Sequence, residues 1–297
     1  MRARRIAVAA ACRGRSLCVI PASAQDGPPV LAERTIATKL DIPRDIEFLP
    51  DGSGIFTERD TRKIKKVTGT TVTELDTVEQ AQTTGGEGGL LGLAVSKTFA
   101  TDNSVFIYYS TASDNRVAKL RLGGTPQVIV SGIPKNRYHN GGGLEFGPDG
   151  FLRATTGDGQ NASTAQNWNS SGGKVLRFAT AGRPAAGNPR AGSIVYSIGH
   201  CNTAGMTNPV KTWPTSQAGP AGIGYYKNAL YVGAVTGSRV WKIPVNGTTL
   251  GTPQAVFTSY GRVRAVAPAP DGTLWLGTSN QDGQPDANDD RIVSTDG

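Results

Sequence analysis

The sequence predicts an all-β chain closed as a β-propeller, and three observations predict it. Glycine (39) and proline (18) are frequent among the 297 residues, and only 18% are charged. That composition suits many short strands joined by tight turns. One grammar recurs in "IEFLPDGSGIFTE" from Ile46, "LEFGPDGFLRATTGD" from Leu144 and "VAPAPDGTLWLGTSN" from Val266. Each is a short alternating strand, Pro-Asp-Gly, then a second strand. Asp-Gly between strand runs signals a hairpin, because glycine accepts positive φ. The third observation is spacing: with two looser copies from Leu93 and Ile223, the five anchors fall 47, 51, 79 and 43 residues apart, a period in the forties with one long gap, and that is the period of propeller blades.

The chain starts "MRARRIAVAAACRGRSLCVIPASAQ". Arg2, Arg4 and Arg5 precede apolar residues, and Ala22-Ser23-Ala24 is a small-x-small cleavage pattern. Residues 1–24 read as a secretory signal, with a disordered tail as the alternative, and 25–297 as a single propeller domain. Cleavage would remove five of the 31 basic residues and none of the 23 acidic ones, so the net charge falls from +8 to +3. A polyanion-binding surface is then not implied, and no aromatic–basic interleaving suggests nucleic acid. Cys12 and Cys18 lie in the signal, leaving Cys201 without an internal partner. No later stretch has 18 unbroken apolar residues, so no integral membrane segment follows the signal. The expected location is secreted or periplasmic.

Two looser copies complete the repeat: "LAVSKTFATDNSVFIYYS" from Leu93 and "IGYYKNALYVGAV" from Ile223. Further β-rich runs follow most copies: "RKIKKV", "RVAKLRL", "KVLRF" and "RVWKIPV". A sandwich or solenoid explains the recurring Pro-Asp-Gly hairpins less well. Between Leu144 and Ile223 lies "GHCNTAGM", the start of another unit anchored at Met206 that stops short of a full period. The prediction is therefore a six-bladed type of propeller with five full units and one truncated unit.

The polar residues fall two to six residues before these anchors. Glu87, His139 and Asn202 precede Leu93, Leu144 and Met206, while Arg262 and Arg264 precede Val266. All sit in the loop leading into a unit's first strand. Such loops emerge on one face of a propeller, around one channel mouth. His139, one of two histidines, has the chemistry of a general base. It equally suits a glycine-rich turn. Arg262 and Arg264 share a face in extended chain and suit a ligand with several carboxylates, or stand as solvated strand charges. Glu87 and Asn202 add an acceptor and a mixed donor–acceptor. "GGEGG" (85–89) matches neither dinucleotide nor P-loop patterns. The acidic loop 281–291 reads as surface, with a hard cation held through oxygens as the alternative, though its spacing is not that of an EF-hand.

"GGEGGLLGLAVS", "YHNGGGLEFGPDG", "TTGDGQ", "SSGGKVLRF", "VYSIGHCN", "GRVRAVAPAPDG" and "DDRI" occur in this order. As a set this resembles the glucose/sorbosone dehydrogenase family, over about residues 33–295. The resemblance implies a secreted six-bladed propeller that oxidises aldoses with pyrroloquinoline quinone (PQQ) and Ca²⁺. It implies His139 as the base that takes the anomeric hydroxyl proton while hydride passes to the quinone. It implies Arg262, Arg264, Asn202 and Glu87 as cofactor-site residues, a sugar as substrate and a separate electron acceptor. Three departures accompany it. Cys201 stands where the family has arginine, Gly143 where many members have arginine, and the segment that gives main-chain oxygens to Ca²⁺ has no counterpart, so metal ligands are unassigned. Two other readings remain: a catalytically degenerate propeller that binds carbohydrate or protein, and a Ca²⁺-dependent lactonase.

Overall fold

A computed structural model describes residues 33–200, 213–217, 219–281 and 290–297. Strand β1 (Glu33–Leu40) opens the chain but belongs to its last sheet. The first sheet runs β2 (Pro43–Phe48), β3 (Gly54–Glu58), β4 (Lys63–Thr68), β5 (Thr71–Thr77). The second is β6 (Leu90–Val95), β7 (Ser104–Ser110), β8 (Asn115–Arg121), β9 (Gln127–Ile133). The third is β10 (Gly141–Phe146), β11 (Leu152–Thr156), β12 (Lys174–Phe178), β13 (Val195–Ile198). The fourth holds β14 (Pro220–Tyr226), β15 (Ala229–Ala234), β16 (Arg239–Asn246), β17 (Thr249–Leu250) and β18 (Gln254–Val256). The fifth is β19 (Val263–Pro268), β20 (Leu274–Thr278), β21 (Asp290–Thr295), with β1 added outside.

These are five antiparallel blades, and the five anchors Ile46, Leu93, Leu144, Ile223 and Val266 all lie in first strands. The additional β-rich runs are the third strands β4, β8, β12 and β16. The fifth blade takes its outer strand from the other end of the chain, pairing Glu33 with Thr295 and Leu40 with Asp290. This closes the first and last parts of the chain into one sheet. The truncated unit predicted at Met206 lies outside the described residues.

The core lies between blades rather than under any one of them. Ile55 and Ile64 pack with Leu93 and Ile107 between the first and second blades. Leu91, Phe106 and Tyr108 pack with Leu144, Ala154 and Leu176 between the second and third. Ala265, Trp275 and Ile292 pack with Ile46, Phe56 and Val67 between the fifth and first. The alternation of period two that each strand carries in sequence thus feeds two faces, one for each neighbouring blade. First strands pack in the order β10, β6, β2, β19, β14, and among the described residues β10 and β14 have no comparable packing.

The acidic loop needs one correction. Its last two residues, Asp290 and Arg291, begin β21. Asp290 is fully buried and accepts hydrogen bonds from the N–H groups of Ile42 (3.1 Å) and Asn280. It is a structural acceptor, because its oxygens already face donors; residues 282–289 lie outside the described set.

Lys174, from "SSGGKVLRF", is wholly buried. Its Nζ donates to the carbonyls of Thr164 (2.6 Å), Ala165 (2.9 Å) and Gly172. The first two carbonyls belong to the short helix Ala162–Gln166. The lysine therefore ties β12 to the loop that follows β11. Lys174→Met is expected to leave those carbonyls unsatisfied and to cost about 3 kcal/mol, read as a lower urea midpoint.

Candidate functional site

The site is built where the lead-in loops of neighbouring blades clasp one another. The loop before β6 and the loop before β10 exchange hydrogen bonds. Glu87 N–H donates to the Arg137 carbonyl (2.8 Å), and Arg137 Nε donates to the Gly85 carbonyl (3.0 Å). Glu87 Oε2 in turn accepts from His139 N–H (2.9 Å). The predicted pair Glu87 and His139 is thus in direct contact, but through the histidine's backbone rather than its ring.

His139 adopts φ +61°, in the left-handed region that L-residues with side chains rarely occupy. Its neighbours hold it there. Its N–H is taken by Glu87, and its carbonyl accepts from Gly159 N–H (3.1 Å). A Cβ at Gly157 would lie 1.8 Å from the His139 carbonyl oxygen, so only glycine lets the chain pass. A Cβ at Gly92 would lie 2.0 Å from the Gly142 carbonyl oxygen, so the glycines of "GGLLG" and "HNGGG" set how closely the second and third blades approach.

Beneath the histidine, Asn140 is fully buried. Its Nδ2 donates to the Asn136 carbonyl (2.8 Å), and its Oδ1 accepts from Asn115 Nδ2 (3.2 Å). Tyr108 Oη donates to the Asn140 carbonyl (2.8 Å). A satisfied buried polar network of this kind rigidifies what it carries.

The ring of His139 is held by a residue that pattern reading passed over. Asp158, with a side chain only 3% exposed, places Oδ1 2.9 Å from His139 Nδ1, while the histidine side chain is 50% exposed. The same oxygen accepts from Gln160 N–H (2.9 Å). A carboxylate accepts, so Nδ1 carries hydrogen, and in the neutral imidazole Nε2 is then the nitrogen with the lone pair. The register of the Pro-Asp-Gly turn points one residue further on, to 159, and a bulge between Gly141 and Leu144 moves the facing position to 158. Gly141 pairs with Thr156 across the hairpin. Counting two residues outward on both strands brings 139 opposite 158.

Two arginines from the sequence reading stand on the fifth blade, whose β19 packs against β2. Arg262 N–H donates to Asn280 Oδ1 (2.8 Å). Arg264 is buried, with Nε 3.3 Å from Ser279 Oγ. A third, Arg44, was not anticipated. It stands in β2, and its Nη2 donates to the Gly141 carbonyl (3.2 Å), two residues after His139. Asn202, and Cys201 before it, lie outside the described residues. Direct bonds thus join Glu87 and Asp158 to His139 and Arg44 to Gly141 two residues on, with Arg262 just before β19 and Arg264 on it.

Comparison with known proteins follows the same geometry. The family profile "Glucose / Sorbosone dehydrogenase" matches residues 40–222 and 201–286. Among solved structures, the PQQ-bound aldose sugar dehydrogenase from Streptomyces coelicolor is 36% identical, with a TM-score of 0.84, covering 90% of this chain and 98% of that one. Quinoprotein glucose dehydrogenase B of Acinetobacter calcoaceticus is 27% identical over 217 residues, 59% of this chain and 45% of that protein. An uncharacterised Synechocystis protein is 29% identical over 236 residues, 67% of this chain and 57% of its own length. The chain thus spans about half the length of these two curated relatives. With the profile covering most of the propeller, the lead-in loops of "GGEGG" and "HNGGG" fall inside the matched stretches, and the chain belongs to the glucose/sorbosone dehydrogenase family.

Proposed function

We propose that this protein is a PQQ-dependent aldose dehydrogenase in which His139 is the catalytic base. One observation carries the reading: a half-exposed imidazole whose Nδ1 is fixed by buried Asp158, on a backbone clamped by Glu87. That arrangement gives a ring of fixed tautomer and orientation, which a general base requires.

The residues present fit a polycarboxylate cofactor. Arg44 Nη1 is buried with no hydrogen-bond partner, and Arg262 and Arg264 lie just before and on β19, the strand packed beside β2. Arg44, Arg262 and Arg264 would hold the cofactor through its carboxylates. When bound, the quinone supplies the two-electron acceptor for the sugar's anomeric hydride. His139 Nε2 takes the proton of the anomeric hydroxyl. Asp158 stabilises the imidazolium that results, and Glu87 keeps the His139 backbone in place while the ring changes charge. Ca²⁺ is expected from the family. Among the described residues no cluster of three His, Cys, Asp or Glu side chains could hold a metal, so no step is assigned to it.

The six-bladed family type with one shortened unit is the architecture we infer. It is supported by the absence, among the described residues, of packing between β10 and β14 comparable to that of the other first strands and by a profile match that breaks into two stretches overlapping at 201–222. An alignment with aldose sugar dehydrogenase YliI of Escherichia coli extends over 342 residues while using 86% of this chain. The same interruption favours the second reading, a degenerate propeller that binds carbohydrate or protein without oxidising it. Export through the signal at 1–24, with cleavage near Ala24, belongs to the first reading. Among the described residues no helix is long and apolar enough to cross a membrane.

Reconstitution with PQQ and Ca²⁺, followed by dye reduction with a panel of aldoses, tests the proposal. Sugar-dependent reduction supports it. A folded protein that binds aldoses but reduces no dye moves the assignment to the binding reading. Asp158→Asn is expected to lower kcat about 100-fold with little change in KM, because the asparagine amide cannot replace the carboxylate that faces the imidazolium.

A further inference from the structure

We propose that Arg44 is a carboxylate anchor at the channel mouth, gripping a polycarboxylated aromatic cofactor on the side nearest His139. This rests on the dehydrogenase reading above and adds to it a residue that neither the motifs nor the family resemblance singled out.

The first support is position in the repeat. Arg44 precedes the anchor Ile46 by two residues, as Arg264 precedes Val266 by two. Their strands, β2 and β19, pack against each other. Arg44 is therefore the counterpart of Arg264 one blade on. It continues the cationic row of Arg262 and Arg264 toward the His139 loop.

The second support is how the guanidinium is engaged. Nη2 is spent on the Gly141 carbonyl at 3.2 Å. Nη1 is buried with no partner. Five other arginines in the first three blades pair with carboxylates: Arg59 with Asp60, Arg62 with Glu79, Arg116 with Asp114, and Arg153 and Arg177 with Asp149. Among the described residues no carboxylate pairs with Arg44. A desolvated donor on a permanently charged group is costly to leave unmade, and the acceptor that best suits it is an anionic oxygen. The fork has one tine fixed on the base-bearing loop and the other buried without an acceptor.

The third support is charge. The sequence has Cys201 where the resembling family has arginine. Arg44 supplies a cation from a different blade, so the mouth still carries three guanidiniums for a tricarboxylate.

Equilibrium titration of the full chain with PQQ, followed by absorbance or fluorescence and without sugar, tests this. Arg44→Met is expected to weaken Kd about 10–100-fold, the effect of one charge-assisted contact. The trimethyl ester of PQQ, which lacks the carboxylates, is expected to bind wild type and Arg44→Met alike. A folded Arg44→Met protein with the wild-type Kd for PQQ overturns the proposal and reduces Arg44 to a prop for the Gly141 carbonyl. If Arg44→Met does not fold, Arg44→Lys carries the test, since it keeps the charge and loses the fork; an unchanged Kd there overturns the proposal too. Wild type that is folded yet binds no PQQ overturns the dehydrogenase reading itself. That outcome is distinct from a wild type that binds and a variant that binds equally.

Discussion

His139→Ala is expected to lower aldose-dependent dye reduction by about three orders of magnitude while leaving affinity for PQQ within a few fold. The split follows from where the residue touches the site. Its ring faces Asp158 through Nδ1, and its other nitrogen faces outward on a half-exposed side chain. Removing the ring removes the proton acceptor. It leaves the backbone clamp to Glu87, the Gly159 contact and the buried Asn140 network. The arginines are on other blades and are not disturbed. The fall should therefore lie in kcat, with KM nearly constant. Stopped-flow reduction of the reconstituted protein by glucose reads it directly. Activity that survives the substitution unchanged would sink the assignment of His139 as base.

Much of this site was legible in the sequence because propellers are periodic. Once Ile46, Leu93, Leu144, Ile223 and Val266 were seen as equivalent, Glu87 and His139 fell on the same kind of loop, and the structure joins them at 2.9 Å. What periodicity does not encode is which atom makes the contact. Glu87 reads as a site-facing acceptor, yet its carboxylate holds a backbone N–H. Asp158 escaped because it leaves the second strand of its hairpin rather than entering the first. Only a bulge between Gly141 and Leu144, which shifts the hairpin register by one residue, brings it opposite His139. Arg44 escaped because an arginine at the start of an edge-like run looks solvated, and burial of one Nη is a property of packing between blades. The outer strand of the last blade escaped as well. It lies more than 200 residues away in sequence, and no local pattern announces such a pairing.

The second large effect is on stability, and its cause is a pair of carboxyls on β2. Burial raises Asp45 to about 7, although the N–H groups of Leu93 and Ile46 bond it and oppose the shift. Burial raises Glu47 to about 8, with the charges of Asp45 and Glu145 adding to it. In the unfolded chain both ionise near pH 4. Between about pH 4 and 8 the folded protein therefore holds protons that the unfolded chain has released, and stability falls as pH rises through that window. Asp290, raised by burial to about 6, acts in the same sense over the lower part of it. Asp51 and Asp149 have the opposite sign. The hydrogen bond from Lys66 and the one from Arg153 hold them below the usual range, so their contribution is lost only as pH falls below about 4. His200 and Lys174, both pushed down by burial, act in the opposite sense near the two ends of this range, and the three raised acids outweigh them. From pH 5 to pH 8 the protein is expected to lose on the order of 5 kcal/mol, or about 10 °C in Tm. Glu47→Gln, which removes one titrating group, should flatten the slope by about half. Thermal unfolding followed by circular dichroism at pH 5, 6, 7 and 8 measures both curves. A wild-type Tm that holds steady or climbs across that range refutes the account, because a buried carboxyl that ionises only on unfolding must oppose folding as the pH rises.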